Sequence, residues 1–157
     1  MKRRCGNCGK VALVKAPYTL TREFDGRTFA GEVPATHCEA CGQTRVSGPG
    51  ALAFERALVA ELARGEVGPQ AFRFLRRAAG LQGSRLAELL DVTPGTVSRW
   101  ENGRKPLERR AVALVAALAL EAQGDRAATR DLLERLATRR KPRKRVLLGV
   151  APHIERP

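Results

Sequence analysis

Four cysteines are the residues whose spacing alone could do chemistry in this chain. They stand as Cys5-x-x-Cys8 and Cys38-x-x-Cys41, with 29 residues between the pairs. Two thiolates three positions apart on a tight turn can grip one ion together, and two such turns complete a tetrahedral, closed site. Each pair precedes a glycine, Gly9 and Gly42, where a left-handed turn carries no steric penalty. With sulfur at all four positions no place is left for an activated water, so the spacing predicts a structural metal and argues against a hydrolase. Zinc and iron both accept four thiolates in this geometry. Zinc is the expected ion, as the usual structural metal of cytosolic modules of this kind. His37, beside Cys38, is the other possible ligand of this part and is expected to be a surface neighbour.

A second stretch, TPGTVSRWENG at 93–103, has a defined shape rather than a reactive group. Thr93 can cap a helix, Pro94 suits its first turn, and Asn102-Gly103 suits its end. On a helical wheel Val97 and Trp100 share one side, while Gly95, Ser98 and Arg99 share the other. The first side belongs in a core, and the second is available to a partner.

The charge balance indicates what kind of partner. Among 157 residues, 29 Lys and Arg stand against 16 Asp and Glu, a net charge of +13, which favours a polyanion and nucleic acid first. The longest apolar run, AVALVAALAL at 111–120, is too short to span a membrane. The basic start, MKRRCGNCGK, lacks the apolar segment of a secretion signal. A cytoplasmic location is expected, and in that reducing compartment four cysteines hold metal rather than form disulfides. No paired carboxylates in a pocket-like context, Ser-His-Asp signature, phosphate-cradling glycine loop or open metal position is visible, so no enzyme is expected.

Positioning these residues takes two kinds of scaffold. Between the cysteine pairs, YTLTREFDGRTFAGEV alternates in part around Asp25-Gly26, which predicts a hairpin with strands at about 18–24 and 27–33. A module of about 45 residues buries little apolar surface, and the metal is expected to supply what its core lacks. The hairpin edge is either solvated or open to a partner's strand. SGPG at 47–50 punctuates the chain before a connecting helix at 51–64, and GEVGP breaks it again. Further helices are expected at about 69–79, 84–90, 94–102, 108–123 and 125–140, with Gly80, Gly103 and Gly124 at helix ends. The apolar run at 111–120 requires burial on several sides, within the chain or in a subunit interface. The helix at 125–140 gathers Leu132, Leu133 and Leu136 for a neighbour or a second subunit. RRKPRKR at 139–145 attracts phosphate without reading sequence, and VLLGVAPHIERP beyond it carries no clear signal. The expected fold is a small zinc-bound β module followed by an all-α helix-turn-helix domain, α+β overall and mainly α. Its divisions are the zinc module at 1–46, the connecting helix and linker at 47–68, the helix-turn-helix domain at 69–124, and a terminal helix with basic tail at 125–157.

Only DVT joins the second and third of the compact helices, which forces a sharp turn between them. LRRAAGLQGSRLAELLDVTPGTVSRWENGRKPL at 75–107 resembles the lambda-repressor/Cro type (XRE-type) of DNA-binding domain, over about 69–120. The resemblance implies that the helix beginning at Thr93 enters the major groove. It implies that Gly95, Thr96 and Arg99 meet base edges, with Arg99 bidentate to guanine. Thr93, Ser98, Asn102, Arg104 and Lys105 would then contact phosphate, and Arg109 would approach the backbone or minor groove. It also implies a pairing of Glu101 with Arg76. The sequence departs from the family at Gly83, where a phosphate-touching Gln is common, and Ser84 or Arg85 would have to replace that contact.

The two parts together, carried by CGNCGK, the hairpin, VPATHCEACGQ, the connecting helix and the helix-turn-helix, resemble the MqsA (YgiT-type zinc-finger) antitoxins. The resemblance implies a bacterial protein whose zinc module binds a small messenger-cleaving toxin, and whose helix-turn-helix dimerises and represses its own operon at a palindromic double-stranded operator. A stand-alone zinc-finger regulator of the same type, with no toxin partner, has the same sequence features.

Overall fold

The computed structural model describes residues 3–124 and 143–150. The expected helix at 125–140, with Leu132, Leu133 and Leu136, and most of the basic run at 139–145 lie outside the described residues, as does His153.

Asp25 and Gly26 both have positive φ, 51° and 74°, the pattern of a type I′ turn whose twist matches that of the flanking strands. From this turn β1 (Leu13–Phe24) and β2 (Arg27–Cys38) pair antiparallel without a break, from Phe24 opposite Arg27 to Leu13 opposite Cys38. Both strands are longer than the expected 18–24 and 27–33, which stop beside Pro17 and Pro34. The two prolines face each other in register. Counting from the two-residue turn, theirs is a pair without ladder hydrogen bonds, so neither missing N–H interrupts the β1–β2 ladder.

The other edge of β2 is shared. β3 (Thr44–Val46) pairs antiparallel with its residues 35–37, and β4 (Arg145–Leu147) pairs parallel with its residues 28–30. No element was expected over the β4 stretch. Its alternate residues Val146 and Leu148 are buried, and Val150 comes beside Gly31, where an added Cβ would lie 3.0 Å from its methyl group. Two further bonds, Thr28 N–H to Lys144 C=O (3.0 Å) and Leu148 N–H to Ala30 C=O (2.8 Å), tie the strand down.

Five helices complete the described fold. α1 (Gly48–Arg64) starts three residues before the expected 51, because Ser47 caps it by accepting from Gly50 N–H at 3.1 Å. Pro49 falls in the first turn, where an absent N–H costs nothing. α1 packs on β2 and buries Phe54, Leu58, Val59 and Leu62. α2 (Pro69–Ala78), α3 (Gly83–Leu89), α4 (Pro94–Glu101) and α5 (Arg109–Ala122) lie within one residue of their expected bounds. α5 lies against α1 and α2, and burial inside this one chain already covers Ala111, Val112, Val115, Ala116, Ala119 and Leu120 of its apolar run. A continuous core links Phe29 and Val33 of the sheet with Phe54, Leu58, Phe72, Trp100 and Val115 of the helices. The small β module therefore draws its core from α1 as well as from any metal.

The hairpin tip is fastened to the helices by one carboxylate. α2 begins after Gly68, which has no side chain to cap it. Asp25 supplies the cap, accepting from Gln70 N–H (2.9 Å) and Ala71 N–H (3.0 Å), while Gln70 Oε1 accepts from Asp25 N–H at 3.1 Å. Gly68 makes room for it, since a Cβ there would lie 2.4 Å from Asp25 Cγ. Beside it Phe24 packs on Phe74, ring centres 5.0 Å apart. Arg27 donates to Glu66 C=O (3.0 Å) and Arg143 C=O (3.2 Å), with its guanidinium 4.9 Å over the Phe29 ring.

Removing this cap should be measurable. Asp25→Ala is expected to lower the unfolding free energy by about 1 to 2 kcal/mol, as loss of an N-terminal helix cap does. Asp25→Asn tolerates the same positive φ and keeps one acceptor oxygen, so it should lose less. Equal losses in denaturant titrations of the two variants would show that the carboxylate cap is not what holds the tip.

Candidate functional site

The two cysteine turns are built alike, bond for bond. Cys5 N–H donates to Lys10 C=O (2.9 Å) and Gly9 N–H to Cys5 C=O (2.8 Å); Cys38 N–H donates to Gln43 C=O (2.9 Å) and Gly42 N–H to Cys38 C=O (2.8 Å). Gly9 and Gly42 have φ of 70° and 74°, the left-handed conformation for which a glycine was expected there. These turns bring the four sulfur atoms within 4.8 Å of one another, with Cys5 to Cys41 and Cys8 to Cys38 both at 3.7 Å. Four metal–sulfur bonds of about 2.3 Å in a tetrahedron require sulfur–sulfur edges of about 3.8 Å. The cysteines are thus positioned to hold a metal ion, and their donor chemistry fits one. His37 is not part of the cluster; its Nδ1 pairs with the Thr44 hydroxyl at 3.0 Å.

The local backbone prepares the sulfurs unequally. The Cys8 and Asn7 backbone N–H groups favour the Cys5 thiolate and hold its pKa down at about 6. The Gln43 N–H and the Asn7 side chain, 3.7 Å away, lower that of Cys41. At Cys8 the Lys10 N–H also favours thiolate, but burial and the other three sulfurs outweigh it and push the thiol up to about 11. A metal ion must displace the protons that remain.

The cluster sits at the far end of the hairpin. Twelve residues per strand at about 3.3 Å each separate it from the tip by roughly 35 to 40 Å. The tip meets α2, and β2 lies on α1 as far as Pro34.

The second candidate site is α4. Asp91, with φ 52°, turns the chain sharply after α3, and Val92 N–H reaches back to Ala87 C=O at 2.9 Å. Thr93 caps α4, its Oγ1 accepting from Thr96 N–H at 3.2 Å. Val97 and Trp100 are buried, Trp100 edge-on to Phe72 with ring centres 6.1 Å apart. Glu101 is held by Arg76, whose Nε donates to Oε1 at 2.6 Å, and by Arg73 at 3.6 Å; Arg76 also donates to Leu81 C=O. This inward anchoring, which includes the Arg76 pairing implied by resemblance, fixes which side of α4 faces out.

On that outward side Gly95, Ser98 and Arg99 are exposed. Thr96, the third candidate base reader, is not among them: only 8 % of it is exposed. At the third position of a capped helix its hydroxyl turns back to Thr93 Oγ1 (3.1 Å) and accepts from Arg99 Nη2 (3.3 Å). Among the residues expected to meet phosphate, Thr93, Ser98, Asn102, Arg104, Lys105 and Arg109 are all exposed. The backbone N–H groups of Arg104 (2.8 Å) and Lys105 (3.2 Å) both donate to Arg99 C=O, so the loop after α4 folds against the helix end. Asn102 Nδ2 is bonded to Ser98 C=O at 2.9 Å, and Lys105 lies 3.6 Å from Glu108. At the departure noted for α3, Gly83 opens the helix, and Arg85 is paired with Glu88 at 2.7 Å. The residue before it, Gln82, stands exposed at the N-cap without a side-chain capping bond, a position that carried no expectation from the sequence.

Residues 72–124 match the family model described as helix-turn-helix, the XRE type of DNA-binding domain; the cysteine module lies outside that match. No curated protein and no solved structure matches the chain. Among the described residues no helix is long and apolar enough to cross a membrane.

Thiol ligation has a pH signature. Purified chain should carry one metal ion, and Cys8→Ser should lose it. Loading at pH 7 should release protons, because Cys8 begins as a thiol, and affinity should fall as pH is lowered. Metal affinity that stays flat between pH 6 and 8 would contradict four-sulfur binding.

Proposed function

We propose that this chain is a sequence-specific, DNA-binding transcriptional repressor whose β module is stapled by structural zinc. The observation that carries the reading is the outward side of α4. A capped, inwardly anchored helix in a helix-turn-helix segment presents Gly95 and Arg99 to the exterior, and the chain bears a net charge of +13. Gly95 lets the backbone approach the base edges closely. Arg99 takes guanine in a bidentate pair, and Thr96 serves as the acceptor that aims it. Thr93, Ser98, Asn102, Arg104, Lys105 and Arg109 fix register on phosphate. Two copies bind a palindrome, their recognition helices entering successive major grooves about 34 Å apart. Occupying the promoter represses.

The MqsA-type resemblance gives this repressor its second role, as the antitoxin of a toxin–antitoxin pair that binds the toxin through its zinc module. Zinc fits the four-sulfur set, and a closed site of this kind stabilises folding without an open position for catalysis. The outer edge of β1, unpaired among the described residues, is consistent with a partner strand. Co-purification from the native host tests that role: a stoichiometric small partner, released by Cys5→Ser, supports the antitoxin. Recovery of DNA alone supports the stand-alone regulator.

The DNA reading has its own test. In gel shifts at moderate salt, the chain should prefer its own upstream DNA over random duplex. Arg99→Ala should remove about 1 to 3 kcal/mol of that preference, whereas Arg143→Ala should weaken both duplexes alike. Equal effects of the two variants on both duplexes would remove Arg99 from the reading face.

A further inference from the structure

The zinc end of the sheet carries a feature that the recognition helix does not explain. Lys15 on β1 stands opposite Thr36 on β2, and Thr36 stands opposite Arg45 on β3. Residues directly opposite in neighbouring strands point to the same face, so the three side chains form one row across the sheet. That face is the one turned away from α1, because Ala35 and Val33, which alternate with Thr36, are buried on the other. With neighbouring strands about 4.8 Å apart, Lys15 and Arg45 stand roughly 10 Å from each other at the backbone, with the Thr36 hydroxyl between them.

The row continues onto the first cysteine turn. The Arg45 guanidinium lies against Gly6, 3.7 Å from where a Cβ would be, and Arg4 Nη1 donates to Gly9 C=O at 3.3 Å. Arg3, Arg4, Lys10, Lys15 and Arg45 are all exposed, and none of them joins an ion pair among the described residues. Four thiolates on a divalent ion leave two negative charges, and Glu39 adds one. Five cations more than offset these, so the end stays positive after the metal site has been neutralised.

We propose that this row is a second DNA contact that grips the phosphate backbone of duplex DNA without reading its sequence. Cations flanking a hydroxyl donor are what phosphate oxygens require. The row itself is two cations and a hydroxyl, and the hollow that Lys15 and Thr36 line beside Pro17 and Pro34 has no aromatic residue in its lining to anchor a protein partner. The contact rests on the DNA-binding reading for its setting, but it lies at the opposite end of the hairpin from the tip that docks on α2 and uses none of the α4 residues. Its effect is salt-dependent affinity, equal for all sequences.

The test uses the full, metal-loaded chain and a random-sequence 60-base-pair duplex, with binding measured across a potassium chloride series. Lys15→Gln combined with Arg45→Gln should reduce the slope of log affinity against log salt by about two, one for each phosphate no longer neutralised. Affinity for the chain's own upstream DNA should fall by the same factor, with preference over random duplex intact. Should the pair of changes disturb metal content, Lys15→Gln alone, seven residues from Cys8, should reduce the slope by about one. An unchanged slope with metal retained would overturn the proposal, and so would a loss confined to upstream DNA. Failure of the α4 reading shows separately, as an Arg99→Ala variant whose sequence preference equals that of the parent.

Discussion

The capping of α2 by Asp25 is the contact on which the arrangement of the two halves depends. A carboxylate at a hairpin tip satisfies two N–H groups that the start of a helix leaves without partners. Around it, Gly68 gives space, Phe24 meets Phe74, and Arg27 holds the carbonyls of Glu66 and Arg143. Because β1 and β2 are paired over their whole length, fixing the tip also fixes where the cysteine end projects. The hairpin is thus a continuous beam between the metal cluster and the first helix of the helix-turn-helix segment, rather than a tethered module.

That geometry separates two kinds of chemistry. The four sulfur atoms, positioned to hold a metal ion, gather at the distal end of the sheet, where two turns meet. α4 is held from the inside by Trp100 and by Glu101 on Arg76, so its outer side carries little structural duty and is left to Arg99 and its neighbours. Cations are exposed around the cluster, at Arg3, Arg4, Lys10, Lys15 and Arg45, and around α4, at Arg99, Arg104, Lys105 and Arg109, in keeping with the net charge of +13. Charge of this kind attracts phosphate over a distance, while the proposed reading leaves discrimination between bases to the short outward side of α4.

Features governed by neighbours in sequence were legible from the sequence. Cys-x-x-Cys-Gly turns, the Asp25-Gly26 turn and the Thr93-Pro94 helix start each follow from local backbone preferences, and each stands where its residues predict. Features set by distant partners were not. Pro17 and Pro34 are tolerated only because they oppose one another, so the strands run past the positions where either proline alone would suggest an end. β4 has three residues and forms by pairing with β2, and only the alternation of Val146, Leu148 and Val150 hints at it. Thr96 stands in the helix where expected, and its hydroxyl contacts with Thr93 and Arg99 depend on rotamers that position alone does not give. The cap of α2 comes from a residue 45 positions earlier, beyond the reach of any helix-start rule.

Hydroxyl-radical footprinting of the chain on its own upstream DNA tests the central claim most directly. Insertion of two copies of α4 into successive major grooves predicts two protected backbone blocks about 10 base pairs apart, related by a two-fold axis, and both lost in Arg99→Ala. Protection spread evenly along the duplex, unchanged in that variant, would contradict it.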